Sequence, residues 1–501
     1  MLCIGKQDIT LQDINNVVYR NIQVNVSDDK EYFDRIAANV QFLQESLKNG
    51  QAIYGTTTGF GDSSKQSISE KQAEELQKRL VQYHQCGTGA KFHPDQVVAI
   101  MLARLVGLAK GYSGVRYSIL ETLARMINHR ITPCIFVEGS VGASGDLTPL
   151  SYIAGALAGM GEVVWNGKTL SAKEALEQNG IEAIKFAPKE ALALMNGTSV
   201  MTGIMALACN EIQKLCEVME MATAMAVMSL HGHPEAFDRR IHELKPFAGQ
   251  KKSAQAISQY LFKTTCNAKN FAQPSNIQDV YSLRCAPHII GVTRDTLGHA
   301  IHWAETELNS VNDNPIIYHE DSAILMGGNF YGGYISQACD SLKIAVGHLA
   351  DLADRQLALL VDEKFSKGLP RNLVVSTPEE VGLNHGFKGM QITSSALTSE
   401  ILKNAMPASI FSRVTECCNQ DKVSLGTIAA RDLVRSVEMT SRVLAILSLA
   451  VVQATDIRGG IETMSPEILE FYKRIRSLSS YLKADRPMDK DIALVAQHIL
   501  K

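Results

Sequence analysis

Apolar positions fall at helical spacing over unusually long stretches of this chain. Between Met201 and Gly232, Ile204, Leu207, Ala208, Ile212, Leu215, Cys216, Met219 and Met225 recur every three or four residues, the period of one helix face. At 3.6 residues per turn this run makes about eight turns. Segments of the same kind run from Ile289 to Leu308, from Tyr334 to Val361 and from Leu425 to Asp456. Ordinary globular helices span about 8–20 residues. Longer ones that are apolar round most of their circumference need neighbours on several sides. The pattern predicts a mostly α protein built on a bundle of long helices, with other subunits completing the packing.

The first 200 residues read differently. Their helical segments are shorter: Glu70–His84, Pro94–Lys110 and Tyr117–His129. Glycine-rich turns interrupt them at 54–61, 87–89 and 139–145, and strand-like pieces such as Glu162–Trp165 are few and short. This predicts a smaller, glycine-loop-rich N-terminal domain over 1–200. A long-helix bundle and C-terminal helical region should follow over 201–501.

The composition fits a globular protein with a large core: 501 residues, 46% apolar and 20% charged. The net charge is -3 and no basic block occurs, so a nucleic-acid partner is not expected. The N-terminus, MLCIGKQDITLQDI, lacks a charged region followed by an apolar core, so no secretory leader is expected. The longest uncharged apolar run, Val443 to Ala454, is shorter than the roughly 20 residues that span a bilayer, so no membrane partner is expected. The ten cysteines form no C-x-x-C pair, which fits small apolar groups in a reducing, cytoplasmic setting.

The turn at 139–145 raises a chemical question. Its sequence is GSVGASG, followed by Asp146 and an apolar run. As a turn it needs no further role, with Ser144 or Asp146 capping a helix over Leu147–Gly159. A sharp bend offers more. The Gly145 amide can attack the Ala143 carbonyl where small side chains permit the approach. Loss of two waters, one from the serine hydroxyl, leaves a five-membered ring with an exocyclic methylidene, an electrophile made from backbone.

Seven segments in order bear on this choice: IYGTTTGFG (53–61), GSVGASGDLTPLSYIA (139–154), ALMNGTSVMTG (193–203), QDVYSLRCAP (278–287), ELNSVNDNPI (307–316), GGNFYGG (327–333) and NQDKVSLGT (419–427). Together they resemble the aromatic amino-acid lyase family, which comprises histidine, phenylalanine and tyrosine ammonia-lyases and related aminomutases. The resemblance implies that Ala143, Ser144 and Gly145 cyclise to 4-methylidene-imidazol-5-one (MIO), with no external cofactor and no metal. It also implies a homotetramer with active sites shared between subunits and a small aromatic amino acid as substrate.

Roles follow the same match. Tyr54 corresponds to the base that removes the β-proton, on a lid whose Gly55, Gly59 and Gly61 suit opening and closing. Gly61 is also counted among the substrate contacts. A tyrosine titrates at about 10 in water, so this role predicts a lowered pKa, supplied by nearby positive charge or helix N-termini. Arg284 matches the clamp on the substrate carboxylate, which its planar fork suits. Tyr281, one turn earlier, matches an active-site tyrosine, and Gln278 should line the same face. Asn196 and Asn329 match asparagines that bond the ring or the substrate, and Phe330 an aromatic beside the ring. Asn312 is a further binding candidate. The chain departs from many relatives at Tyr331, where they carry His, and at His288, where they carry Gln.

Substrate choice is read at two places. His84, in the pair Tyr83-His84, suits a phenol hydroxyl or an imidazole nitrogen and disfavours a bare phenyl ring. Gln420 falls where histidine lyases carry Glu. The pair favours tyrosine, giving trans-p-coumarate and ammonia. Histidine or phenylalanine deamination and a tyrosine or phenylalanine 2,3-aminomutase are the alternatives. A non-catalytic helical assembly is the reading from another class, opposed by the joint presence of Ala143-Ser144-Gly145, Tyr54 and Arg284.

Overall fold

The computed structural model describes residues 1–261, 277–459, 461 and 464–500. It is mostly helical. The long periodic segments become helices Ser199–Ser229, Ala286–Leu308, Gly333–Val361 and Gly426–Arg458. The shorter ones become Glu70–His84, Pro94–Ala109 and Tyr117–Asn128, and the strand Glu162–Trp165 is present. Helix ends follow local chemistry. Pro94 sits in the first turn behind His93, whose ring accepts from the Asp95 amide while its own amide donates to Gln96.

The chain divides into two compact units, both discontinuous in sequence. The first takes Met1–Asn210, Ala300–Asp340 and Pro407–Leu433. The boundary expected near residue 200 has helix Ser199–Ser229 running across it. The described strands all lie in the first unit. Leu2–Ile4 pairs in parallel with Val24–Val26, and the remaining pairs are antiparallel: Thr88–Lys91 with Phe136–Glu138, Glu162–Trp165 with both Thr132–Pro133 and Lys168–Ser171, and Ile316–Tyr318 with Ala323–Leu325. Each sheet has two or three strands, so helices carry the core. Helix Pro94–Ala109 is buried from Val97 to Ala109 and takes Arg104 inside with it.

The second unit takes Glu211–His299, Ser341–Met406 and Val434–Lys501. Its helices are tied by polar bonds as well as apolar packing. Arg294 and Glu220 form an ion pair at 2.6 Å, and Gln356 bonds Thr223 and the Ser282 carbonyl. Gln453 donates to the Leu373 and Leu482 carbonyls. Helix Gly426–Arg458 is long and apolar enough to cross a membrane, with a window of mean hydropathy 1.5 that is 89% buried. Such burial is what a core helix shows. Of the ten cysteines, Cys266 lies outside the described residues, and Cys3, Cys86, Cys134, Cys209, Cys216, Cys285, Cys417 and Cys418 are free thiols.

Candidate active site

Two of the three glycine-rich turns, 54–61 and 139–145, meet at one open cavity of about 1040 Å³, which the 87–89 turn does not line. Residues 139–145 form one wall. Gly142 and Gly145 sit at φ +70° and +68°, where a side chain is strained. A Cβ on Gly145 would lie 2.0 Å from the Gly197 carbonyl oxygen. The two glycines face each other as a β-bridge: Gly197 N–H donates to the Ser144 carbonyl at 3.1 Å, and Asp146 N–H to the Gly197 carbonyl at 2.8 Å. Ala143 and Ser144 are half-buried and line the cavity. Only glycine fits position 145, and Ser144 lies at the cavity wall. Both observations fit the ring that the three residues would form.

Asp146 does not cap the helix that follows it, which runs Leu147–Leu157. Its carboxylate instead accepts from Val200 N–H at 2.9 Å and Met201 N–H at 3.0 Å, in the first turn of helix Ser199–Ser229. It also accepts from the Thr427 hydroxyl. Those donors and the helix dipole favour the anion. Complete burial outweighs them and pushes the carboxyl up to about 6.

Behind the turn lies a charged network. Lys189 and Asp313 are fully buried and paired at 2.5 Å. Asp313 accepts from Asn196 Nδ2 at 3.2 Å, and the Asn314 carbonyl accepts from the same nitrogen at 2.9 Å. The Asn196 amide nitrogen is thereby committed. Its Oδ1 is buried without a partner in a residue that lines the cavity. Buried Arg104 holds the backbone of the same segment, donating to the Asn196 carbonyl at 2.7 Å.

The loop that carries Tyr54 also lines the cavity. Tyr54 and Phe60 pack edge to face with ring centres 6.3 Å apart. The Tyr54 hydroxyl accepts from Gly61 N–H at 2.7 Å. Its pKa is raised, not lowered as a base role predicts. Burial dominates, the single amide donor opposes it, and the Glu416 carboxylate adds to it. Glu416 in turn accepts from Asp62 N–H at 2.9 Å. No local motif announces Glu416, yet it lines the cavity.

His84 packs against the exposed Tyr83 ring, with ring centres 4.3 Å apart and planes tilted by 34°. His84 Nδ1 lies 2.9 Å from the Leu80 carbonyl, and burial lowers the ring's pKa. A carbonyl only accepts, so Nδ1 carries the proton and Nε2 of the neutral ring is left as an acceptor. Gln420 lines the cavity with its Oε1 taken by the Thr415 hydroxyl at 2.7 Å.

Of the residues singled out in the sequence, Tyr54, Gly61, Tyr83, His84, Ala143, Ser144, Gly145, Asn196, Phe330 and Gln420 line this one cavity. Asn312 does not: it is buried with its Oδ1 taken by Thr198 and its Nδ2 by the Glu307 and Ser310 carbonyls. Its neighbour Asn314 lines the cavity in its place. Asn329 is exposed and donates to the Val311 carbonyl. Gln278, Tyr281 and Arg284 belong to the second unit and are not among the lining residues. Gln278 lies outside the short helix Tyr281–Arg284, so it shares no helix face with them. Tyr281 is 71% exposed, with the Arg284 guanidinium 4.7 Å from its ring centre. Among the described residues no cluster of side chains could hold a metal ion.

Comparison with known proteins bears on this arrangement. Residues 9–477 match the family described as Aromatic amino acid lyase. A histidine ammonia-lyase from Alkaliphilus oremlandii is 38% identical over 98% of this chain and 95% of its own length. The fold superposes on a tyrosine aminomutase from Streptomyces globisporus with a TM-score of 0.93 and 35% identity, covering 100% of this chain and 96% of that one. A phenylalanine aminomutase from Pantoea agglomerans also gives 0.93, at 32% identity over 100% and 99% of the two chains. The chain belongs to the aromatic amino acid lyase family and is an enzyme of the ammonia-lyase kind.

Proposed function

We propose that this enzyme deaminates an aromatic L-amino acid whose ring ends in a hydrogen-bond donor, with L-tyrosine first, giving trans-p-coumarate and ammonia. The observation that carries this is His84. With Nδ1 donated to Leu80, Nε2 can accept from a phenol O–H, and an unsubstituted phenyl ring leaves that acceptor unpaired. Gln420 supplies no carboxylate at the position where histidine lyases carry one. The histidine reading is kept because curated relatives bear that name and because Glu416 brings a carboxylate to the cavity.

Ala143, Ser144 and Gly145 would form the ring, which would supply an electrophile toward the substrate amine. Asn196 offers Oδ1 as an acceptor for an N–H at the same wall. Tyr54 takes the β-proton. Its raised pKa puts the reactive phenolate on the basic side, so activity rises with pH until that group ionises. Arg284 clamps the substrate carboxylate from a neighbouring subunit of a homotetramer, and its charge beside the cavity counters the burial that holds the Tyr54 phenol protonated. The cysteine usage supports a cytoplasmic setting.

The test is incubation with tyrosine, phenylalanine, histidine and DOPA, scoring arylacrylate and β-amino acid products, with Ser144→Ala as the blank. Tyrosine should give an arylacrylate. His84→Phe should move preference toward phenylalanine by about 10–100-fold. Preference unchanged by that substitution removes His84 from recognition, and a β-amino acid product makes the enzyme an aminomutase.

A further inference from the structure

Most described cysteines are sheltered, and burial pushes the Cys209 and Cys216 thiols up to about 12. Cys417 and Cys418 differ. They are adjacent, both are exposed, and they stand at the tip of a tight loop on the cavity rim. Thr415 N–H donates to the Gln420 carbonyl at 3.0 Å, and Gln420 N–H returns a bond at 3.3 Å. Asn419 N–H donates to the Glu416 carbonyl at 2.9 Å. Glu416, Cys417 and Cys418 turn this loop at φ +52°, +53° and +67° with no glycine among them. A left-handed conformation costs roughly 1–2 kcal/mol at each such residue. Strain of this kind persists where the surroundings over-determine it.

The loop's stem and its tip face different things. Thr415, Glu416, Asn419 and Gln420 line the cavity, and the two thiols between them do not. Glu416 is also the acceptor for the lid amide of Asp62, next to Gly61, whose amide bonds the Tyr54 hydroxyl. One covalent bridge across the thiols therefore acts on a residue that holds the lid.

We propose that Cys417–Cys418 is a dithiol site for a thiophilic trivalent centre of the arsenical class, and that its occupation frees the lid by displacing Glu416 from Asp62. With phenylarsine oxide, two As–S bonds form. The arsenic-bound oxygen leaves as water with the two thiol protons, and no oxidation state changes. Two adjacent thiols hold one arsenic far better than either alone, because the second bond forms within the molecule.

The experiment uses the full-length enzyme in its native assembly with phenylarsine oxide. Intact mass and peptide mapping should find one arsenical per chain, bridging Cys417 and Cys418. Hydrogen exchange at the Gly61 and Asp62 amides should rise on capture. Activity on whichever substrate the enzyme turns over should fall, returning with a dithiol and not with a monothiol. The double variant C417S/C418S should keep its basal activity and bind no arsenical. Each single variant should retain it about a hundredfold less well. Capture at other cysteines, equal inactivation of the double variant, or unchanged exchange at Gly61 and Asp62 overturns the proposal. Mass and exchange need no substrate, so they are independent of which amino acid is deaminated.

Discussion

The two walls of the cavity are held by different means. Residues 139–146 are fixed by backbone: glycines at positive φ, a bridge to Gly197, and a buried carboxylate that ties the turn to helix Ser199–Ser229. Its support is the fully buried pair Lys189–Asp313. The loop that carries Tyr54 is tied at its base by buried Gln77 on the Gly55 carbonyl and by the Gly59 and Ile68 amides, whereas its outer end at Gly61–Asp62 rests on exposed groups, Glu416 on Asp62 beside Gly61 on the Tyr54 hydroxyl. The electrophile proposed at this turn would need a rigid seat, because small displacements of reacting atoms are costly. The Tyr54 loop, if it carries the proposed base, must instead yield for substrate entry and product release. The same fold therefore supplies one buried, over-determined wall and one whose outer end rests on an exposed latch.

The largest effect is expected where the rigid wall loses its charge pair. Lys189→Met leaves Asp313 buried without its cation. Breaking such a pair costs about 3–5 kcal/mol, much of it for the stranded charge. Asp313 also loses definition as the acceptor for Asn196. Thermal or denaturant unfolding checks this, and Lys189→Met combined with Asp313→Asn should recover a large part of the loss. A single variant as stable as the wild type shows that the pair does not brace the turn.

Asp146 sharpens the comparison by pH. Its folded pKa, about 6, lies above the ordinary carboxylate value, so the folded protein binds the proton more tightly than the unfolded chain. The stabilising contribution of the neutral form is complete below about pH 4 and is lost as pH rises through about 6. A shift of this size amounts to about 3 kcal/mol in all. Asp146→Asn keeps an acceptor for Val200 and Met201 and removes the titration. The stability difference between wild type and variant should therefore move against the wild type as pH rises from 4 to 7. A difference that stays flat across that range means the carboxyl is ionised throughout.

Periodicity made the helices legible, because apolar spacing survives in the local sequence. Glu70–His84 has the ends that its pattern predicts, and Ser199–Ser229 starts two residues before its apolar pattern. The seven motifs supplied eight of the singled-out cavity residues, and the Tyr83-His84 pair the other two. What stayed hidden depends on partners far apart in the chain. Asp146 looks like the cap of its own helix until it meets Val200, 54 residues on. Glu416 bonds Asp62 across 354 residues, and Lys189 meets Asp313 across 124. No local spacing encodes these meetings. Asn312 and Asn314 share one motif, and only the fold decides which reaches the cavity. The raised pKa of Tyr54 was hidden for the same reason, since burial and the Glu416 charge both come from tertiary structure.

The smallest expected effect belongs to the latched wall, at Glu416→Gln. The amide side chain can still accept from Asp62 N–H, so only the charge-assisted part of that bond is lost. For a group at the rim this is worth a few tenths to about 1 kcal/mol. Global stability should scarcely change. Two local readouts should move together. Hydrogen exchange at Asp62 should quicken as the latch weakens. The negative charge that raises the Tyr54 pKa is also gone, so the phenolate forms at lower pH and the rising limb of kcat/KM should shift to lower pH. A faster lid with an unmoved limb would mean that Glu416 holds the lid without tuning the base. An unmoved lid and limb would mean that the exposed wall is as firmly determined as the buried one.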